Sequence, residues 1–328
     1  MTATSLPVVD FGAYLNPESS PEQRHAVACA LDEACCNLGC FYLINHGVPQ
    51  ELCDAVRDYG RQFFQLSMEE KRRHSVSSVF RGYLHFDDEF AKGKMHQCEK
   101  IGFYPPVNCY CAGNASDADA TLPSAMPPTA PDVLGDQDSW PSNEFRAVTE
   151  EYQRHMMRLH EHLFEAVANG LGIDEAERRW MKHPVLSTQF TWYQALTEED
   201  TKEDRVSMVP HADPCCFTFL NQDHEAESHQ MLGCGGRWYS IKPLPGAFIV
   251  STGSVFNLWT SDRYPETMRR VIHLSKEPLI SVATFIEPSF DNVVKPLPEF
   301  AKFRNPAEYT PSMYGSHVLD VLNDYIDW

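Results

Sequence analysis

The sequence predicts a mainly β protein with an α/β N-terminal region and one long supporting helix, and three observations carry that reading. Short apolar runs at 189–193, 216–220, 248–250, 255–259 and 280–285, separated by Gly, Pro and polar turns, read as strands of a sandwich or barrel. Ahead of them, Phe145, Val148, Tyr152, Met156, Leu159, Leu163 and Val167 recur at helical spacing and stop near Gly170-Leu171-Gly172. The first hundred residues mix the two periods.

In chain order, 6–11 reads as a short buried strand, and after a Pro/Ser-rich break Val27, Leu31, Ala34 and Leu38 mark a helix ended by Gly39. Residues 40–44 read as a buried strand stopped by Asn45-His46-Gly47-Val48-Pro49, and a second helix follows through Phe63-Phe64. From 106 to 141 the chain turns to Pro, Ala, Asp and Ser with little periodicity, which predicts a surface excursion or a lid. Three segments result: 1–105, the irregular 106–141, and 142–328, with the first and last forming one structural unit. No internal repeat is present.

At 328 residues and 43% hydrophobic, the chain can bury a sizeable core. Lys plus Arg number 27 against 46 Asp plus Glu, a formal charge of -19, which argues against nucleic acid or an anionic membrane as partner and leaves a small molecule. Eleven cysteines, with Cys35-Cys36 and Cys215-Cys216 adjacent, fit neither a disulfide framework nor a C-x-x-C metal site, so reduced thiols are expected. The first residues lack a basic, apolar leader pattern, and no apolar run approaches the roughly 18 residues of a membrane span. A cytoplasmic protein is the expectation.

The chemistry centres on Pro210-His211-Ala212-Asp213. On a strand, His-x-Asp turns both side chains to one face, where a third donor from a distant strand could complete a two-His-one-carboxylate iron site. Chance supplies about one such triplet in a chain this rich in histidine, and His85-Phe86-Asp87 is a second copy. Pro210 before the His211 copy and the apolar 217–220 after it suit a strand end opening on a pocket. A surface hydrogen-bonded pair is the competing reading.

The surrounding residues resemble the isopenicillin N synthase-like and 2-oxoglutarate/Fe(II)-dependent dioxygenases. The likeness runs from Leu6-Pro7-Val8-Val9-Asp10-Phe11 through 39–49, Phe63-Phe64, Glu70-Lys71 and Arg81-Gly82-Tyr83. It continues with Tyr193, His211-Ala212-Asp213, 217–220, Gln230, Trp238 and Pro245-Gly246-Ala247-Phe248, sparing only about 106–140. The resemblance implies a double-stranded β-helix, or jelly roll, with Fe(II) and 2-oxoglutarate as cofactors and His211 and Asp213 as metal ligands.

Two positions depart from the family pattern. The distal histidine ligand falls at Arg269, and a guanidinium has no lone pair to give a metal. The Arg-x-Ser that holds 2-oxoglutarate falls at Leu279-Ile280-Ser281, so only Ser281 remains and weak 2-oxoglutarate binding is expected. His273 lies four strand steps, roughly 13 Å, beyond position 269, too far for an iron bond near 2 Å without a bulge. Arg269 either grips a ligand carboxylate or pairs with Asp213 at the old metal position. Tyr193, Arg81 and Arg263 are further candidates for holding an anionic substrate, with structural roles as the alternative. Two functions follow: a non-heme iron oxidoreductase acting on a small, carboxylate-bearing metabolite, or a homologue without iron and oxygen chemistry that binds ligands in the same pocket.

Overall fold

A computed structural model describes residues 6–75, 81–85, 98–104, 139–174, 178, 184–197, 207–224, 226–233, 235–290, 292–303, 311–318 and 320. The N-terminal strand β1 (Val8–Asp10) leads into a short helix α1 (Gly12–Leu15) within the Pro/Ser-rich break, and then into α2 (Pro21–Asn37). Ser20 starts α2 through a capping box with Gln23, and Pro21 sits where its missing N–H costs nothing. Strand β2 (Cys40–Ile44), α3 (Gln50–Phe64), α4 (Met68–Arg72), β3 (Gly82–Leu84) and β4 (Cys98–Phe103) complete the described N-terminal part. Helix α5 (Asn143–Leu171) is capped by the Ser142 hydroxyl and closed by Gly172 at φ 69°, a left-handed conformation that glycine adopts without steric cost.

Eight strands form the larger sheet in the order β1, β2, β10 (Phe248–Thr252), β7 (Phe217–Gln222), β12 (Leu279–Glu287), β5 (Val185–Tyr193), β4, β3. A four-stranded sheet faces it, ordered β6 (Met208–His211), β11 (Arg269–Val271), β8 (His229–Gly233), β9 (Arg237–Ser240). Together they make the double-stranded β-helix, extended by strands from the N-terminal part.

Side chains alternate between the two faces of a strand, and the apolar clusters show which face is which. Phe190, Phe217, Phe219, Ile280 and Val282 join the apolar stripes of α2, α3 and α5 in one core cluster, so these helices cover the outer face. The intervening residues Leu220, Ile249 and Ala283 meet Met231 of β8, and Tyr193 and Leu279 meet Met208 and Val271. That second face looks into the jelly roll.

The run 255–259, expected to be a strand, lies instead in a short helix, α6 (Ser254–Trp259). The Asn257 N–H donates to Gly253 and the Thr260 N–H to Phe256, while Val255, Phe256 and Trp259 are buried at helical spacing. A five-residue apolar run satisfies either period, so sequence alone could not choose. Of the irregular segment 106–141, residues 106–138 lie outside the described residues, as do Phe86 and Asp87 of the second His-x-Asp triplet. Among the described residues, no helix is long and apolar enough to cross a membrane.

Candidate active site

The smaller sheet sets the site. In its register Arg269 lies opposite His211 on one side and Met231 on the other, and Val271 lies opposite His229. Residues paired across antiparallel strands point the same way, so His211, Arg269 and, one diagonal step on, His229 share the face turned to the larger sheet. Asp213 follows immediately after β6.

Arg269 Nη2 donates to both oxygens of Asp213, at 2.7 Å to Oδ1. The Thr218 hydroxyl of β7 donates to Oδ2 of the same carboxylate. His211 Nε2 stands 3.6 Å from Asp213 Oδ1, and its Nδ1 lies 2.8 Å from the Val209 carbonyl. A carbonyl only accepts, so Nδ1 carries the hydrogen and Nε2 keeps its lone pair toward Asp213. Burial, reinforced by Arg269, pushes the His211 imidazole down to about 4, so it is neutral at pH 7. For Asp213, burial pulls the carboxyl up, but Arg269, His211 and Thr218 outweigh it and hold it below the usual value.

Of the two roles open to Arg269, the structure has the ion pair with Asp213. As placed, the donor set does not fit Fe(II): it offers one imidazole, one carboxylate with both oxygens taken, and a protonated guanidinium at the third position. Among the described residues no three His, Cys, Asp or Glu side chains are grouped to hold a metal ion. His273 is fully buried and satisfied, its Nδ1 2.7 Å from the Ser228 hydroxyl and its Nε2 2.8 Å from the Glu277 carbonyl, so it is not available as a substitute ligand.

The other candidates separate. Tyr193 and Ser281 face the interior as diagonal neighbours on β5 and β12, and burial drives the Tyr193 hydroxyl far above its usual pKa. Leu279 is packed against Cys98, Tyr193, Met208 and Val271, leaving no cation at that position. Arg263, expected to hold substrate, instead pairs with Asp32 of α2 at 2.6 Å with its side chain 44% exposed; the loop carrying it turns outward, so it is not a pocket residue. Arg81 is buried with its guanidinium 5.9 Å from the Tyr104 ring. Arg270 points away from Arg269, as strand alternation requires, and lies over Trp238 at 4.2 Å.

Four inward residues escaped the sequence reading. Thr218 fixes Asp213, and His229 stands edge-on to Tyr193 at 5.9 Å between ring centroids. Lys100 of β4 pairs with Thr191, beside Ser281. Glu287, at the far end of β12, is pushed up to about 7 by burial despite hydrogen bonds from Tyr104, Tyr314 and Ser187. Strand alternation in 98–103 could have flagged Lys100; nothing local marks His229 or Glu287.

Two family descriptions match the chain: the non-haem dioxygenase in morphine synthesis N-terminal region over residues 6–129, and the 2OG-Fe(II) oxygenase superfamily over 185–288. A homoarginine-6-hydroxylase of Glycine max is 27% identical, covering 99% of this chain and 98% of its own length. One from Oryza sativa subsp. japonica is 28% identical over 98% of each. Among solved structures, a full-length Neurospora crassa protein in complex with alpha-KG and thymine superposes with a TM-score of 0.77 at 20% identity, covering 97% of this chain and 96% of that one. JOX2 in complex with 2OG, Fe and JA gives 0.73 at 22% identity, covering 96% and 84%. With both halves matched in order on a shared jelly roll, the chain belongs to the 2-oxoglutarate/Fe(II) oxygenase superfamily, a family of oxidoreductases whose cofactors are Fe(II) and 2-oxoglutarate.

Proposed function

We propose that the protein is a dioxygenase-type oxidoreductase of the cytoplasm that acts on a small, carboxylate-bearing metabolite held between the two sheets. One observation carries a polar ligand: Arg269 remains protonated inside the jelly roll, and its Nε is buried without a partner among the described residues although Nη2 is bound to Asp213. A buried N–H left unmet costs about 1–3 kcal/mol, which an acceptor on the ligand would recover. The names of the relatives agree in scale, homoarginine being a free amino acid and the JA of the JOX2 complex a small ligand. A formal charge of -19 on the whole chain favours neither nucleic acid nor an anionic membrane.

Within this reading Arg269 and Tyr193 bind and orient, and the apolar residues around Leu279 and Met231 exclude water. A metal could reach His211 and Asp213 only with Arg269 moved off the carboxylate. Oxygen uptake, measured with Fe(II), ascorbate and 2-oxoglutarate across a panel of small acids and their amides, tests the proposal. Uptake with an acid and not with its amide is expected; no uptake with any acid overturns it.

A further inference from the structure

We propose that Lys100 is the cation that anchors the ligand's carboxylate, standing in for the missing charge at position 279, while the ligand's other end rests on Arg269 and His229. The inference takes from the proposed function only that this pocket holds the substrate.

The register of the larger sheet places Lys100 opposite Thr191, Thr191 opposite Ser281, and Ser281 opposite Gln222. All four therefore point into the jelly roll on one line across β4, β5, β12 and β7. Apolar residues bound that line on both sides: Cys98, Tyr193 and Leu279 on one, Ala283 and Leu220 on the other. A continuous polar stripe in an apolar interior is costly unless its groups are met. Here they are not. Both amide atoms of Gln222, the Nε2 of His229 and the Nε of Arg269 are buried without a partner, and Gln222 and His229 are only 4% and 5% exposed.

Charge then selects the ligand. Arg269 is already paired with Asp213. Glu99, next to Lys100 in sequence, points to the helix side, where it binds Lys71 and Tyr83. Lys100 is half-buried and makes no ion pair or hydrogen bond among the described residues. The stripe thus holds one uncompensated positive charge. Ser281 lies two strand spacings, about 10 Å, from Lys100, a gap the flexible lysine stem can partly close. The matching ligand is a small monocarboxylate with a neutral acceptor, such as an oxo or hydroxyl group, at its far end. A second carboxylate would have to compete with Asp213 for Arg269.

Calorimetric titration of the full-length, metal-free protein tests this with 4-oxopentanoate, its methyl ester and succinate as probes. Wild-type protein should bind 4-oxopentanoate more tightly than succinate and should not bind the ester. Lys100→Met, which keeps the stem, should weaken 4-oxopentanoate about 10- to 100-fold, the range for losing a charge-assisted contact, and Lys100→Arg should restore most of it. Unchanged affinity in Lys100→Met, or no saturable binding by wild type, overturns the proposal. Turnover does not enter the readout: binding without oxygen uptake removes the oxidoreductase reading alone, and uptake with Lys100 dispensable removes this one alone.

Discussion

Two positions of the jelly roll, 269 and 279, hold residues of opposite character, and the structure accommodates them in opposite ways. At 269 a cation holds both oxygens of Asp213, so the interior there is polar and internally paired. At 279 a leucine joins a cluster with Cys98, Tyr193, Met208 and Val271. A buried charge must find a partner, and so it reorganises its neighbours. An apolar side chain needs only matching volume, and leaves the demand for charge to be met elsewhere on the same wall.

The contrast breaks most visibly through Arg269→Met, which strands the Asp213 carboxylate in the interior. Urea denaturation at pH 7 should show a loss of about 3–5 kcal/mol, most of it recovered in the double variant Arg269→Met, Asp213→Leu. A single-variant cost below about 1 kcal/mol would show that the pair is not desolvated. Leu279→Ala should cost about 3 kcal/mol by the same measurement, with no dependence on salt, because the loss is packing and cavity. Salt dependence there would mean that position 279 still answers to charge. The smallest effect sharpens the metal side: Arg269→His should bind Co(II) anaerobically about tenfold more tightly than wild type, or about 1.4 kcal/mol, since an imidazole adds a donor and a guanidinium repels the ion. Equal or weaker binding by the variant would remove Arg269 from the vacant ligand position.

Much of this architecture was legible before the structure. The strand at 40–44 and the long helix closed at Gly172 follow from period, and the placing of Arg269 opposite His211 on one sheet face from motif register. What escaped did so for identifiable reasons. The 255–259 run is too short for its apolar pattern to separate helix from strand. Arg263 sits in the motif that delivers Arg269, but two left-handed residues before it, Ser261 at φ 50° and Asp262 at φ 67°, belong to the turn that sends it toward Asp32. His229 matters through cross-strand register, which links residues far apart in sequence and leaves no local signature. The same holds for the place of Lys100 beside Thr191 and Ser281, although alternation in 98–103 marks its inward face.

The Arg269–Asp213 ion pair also changes how the protein answers to its surroundings. Where a metal closes a site, the folded population rises and falls with metal supply, by RT ln(1 + [L]/Kd). Here an arginine supplied by the chain itself already occupies the third place beside Asp213. The charge balance at that buried carboxylate is thereby set within the chain rather than by a cation drawn from solution.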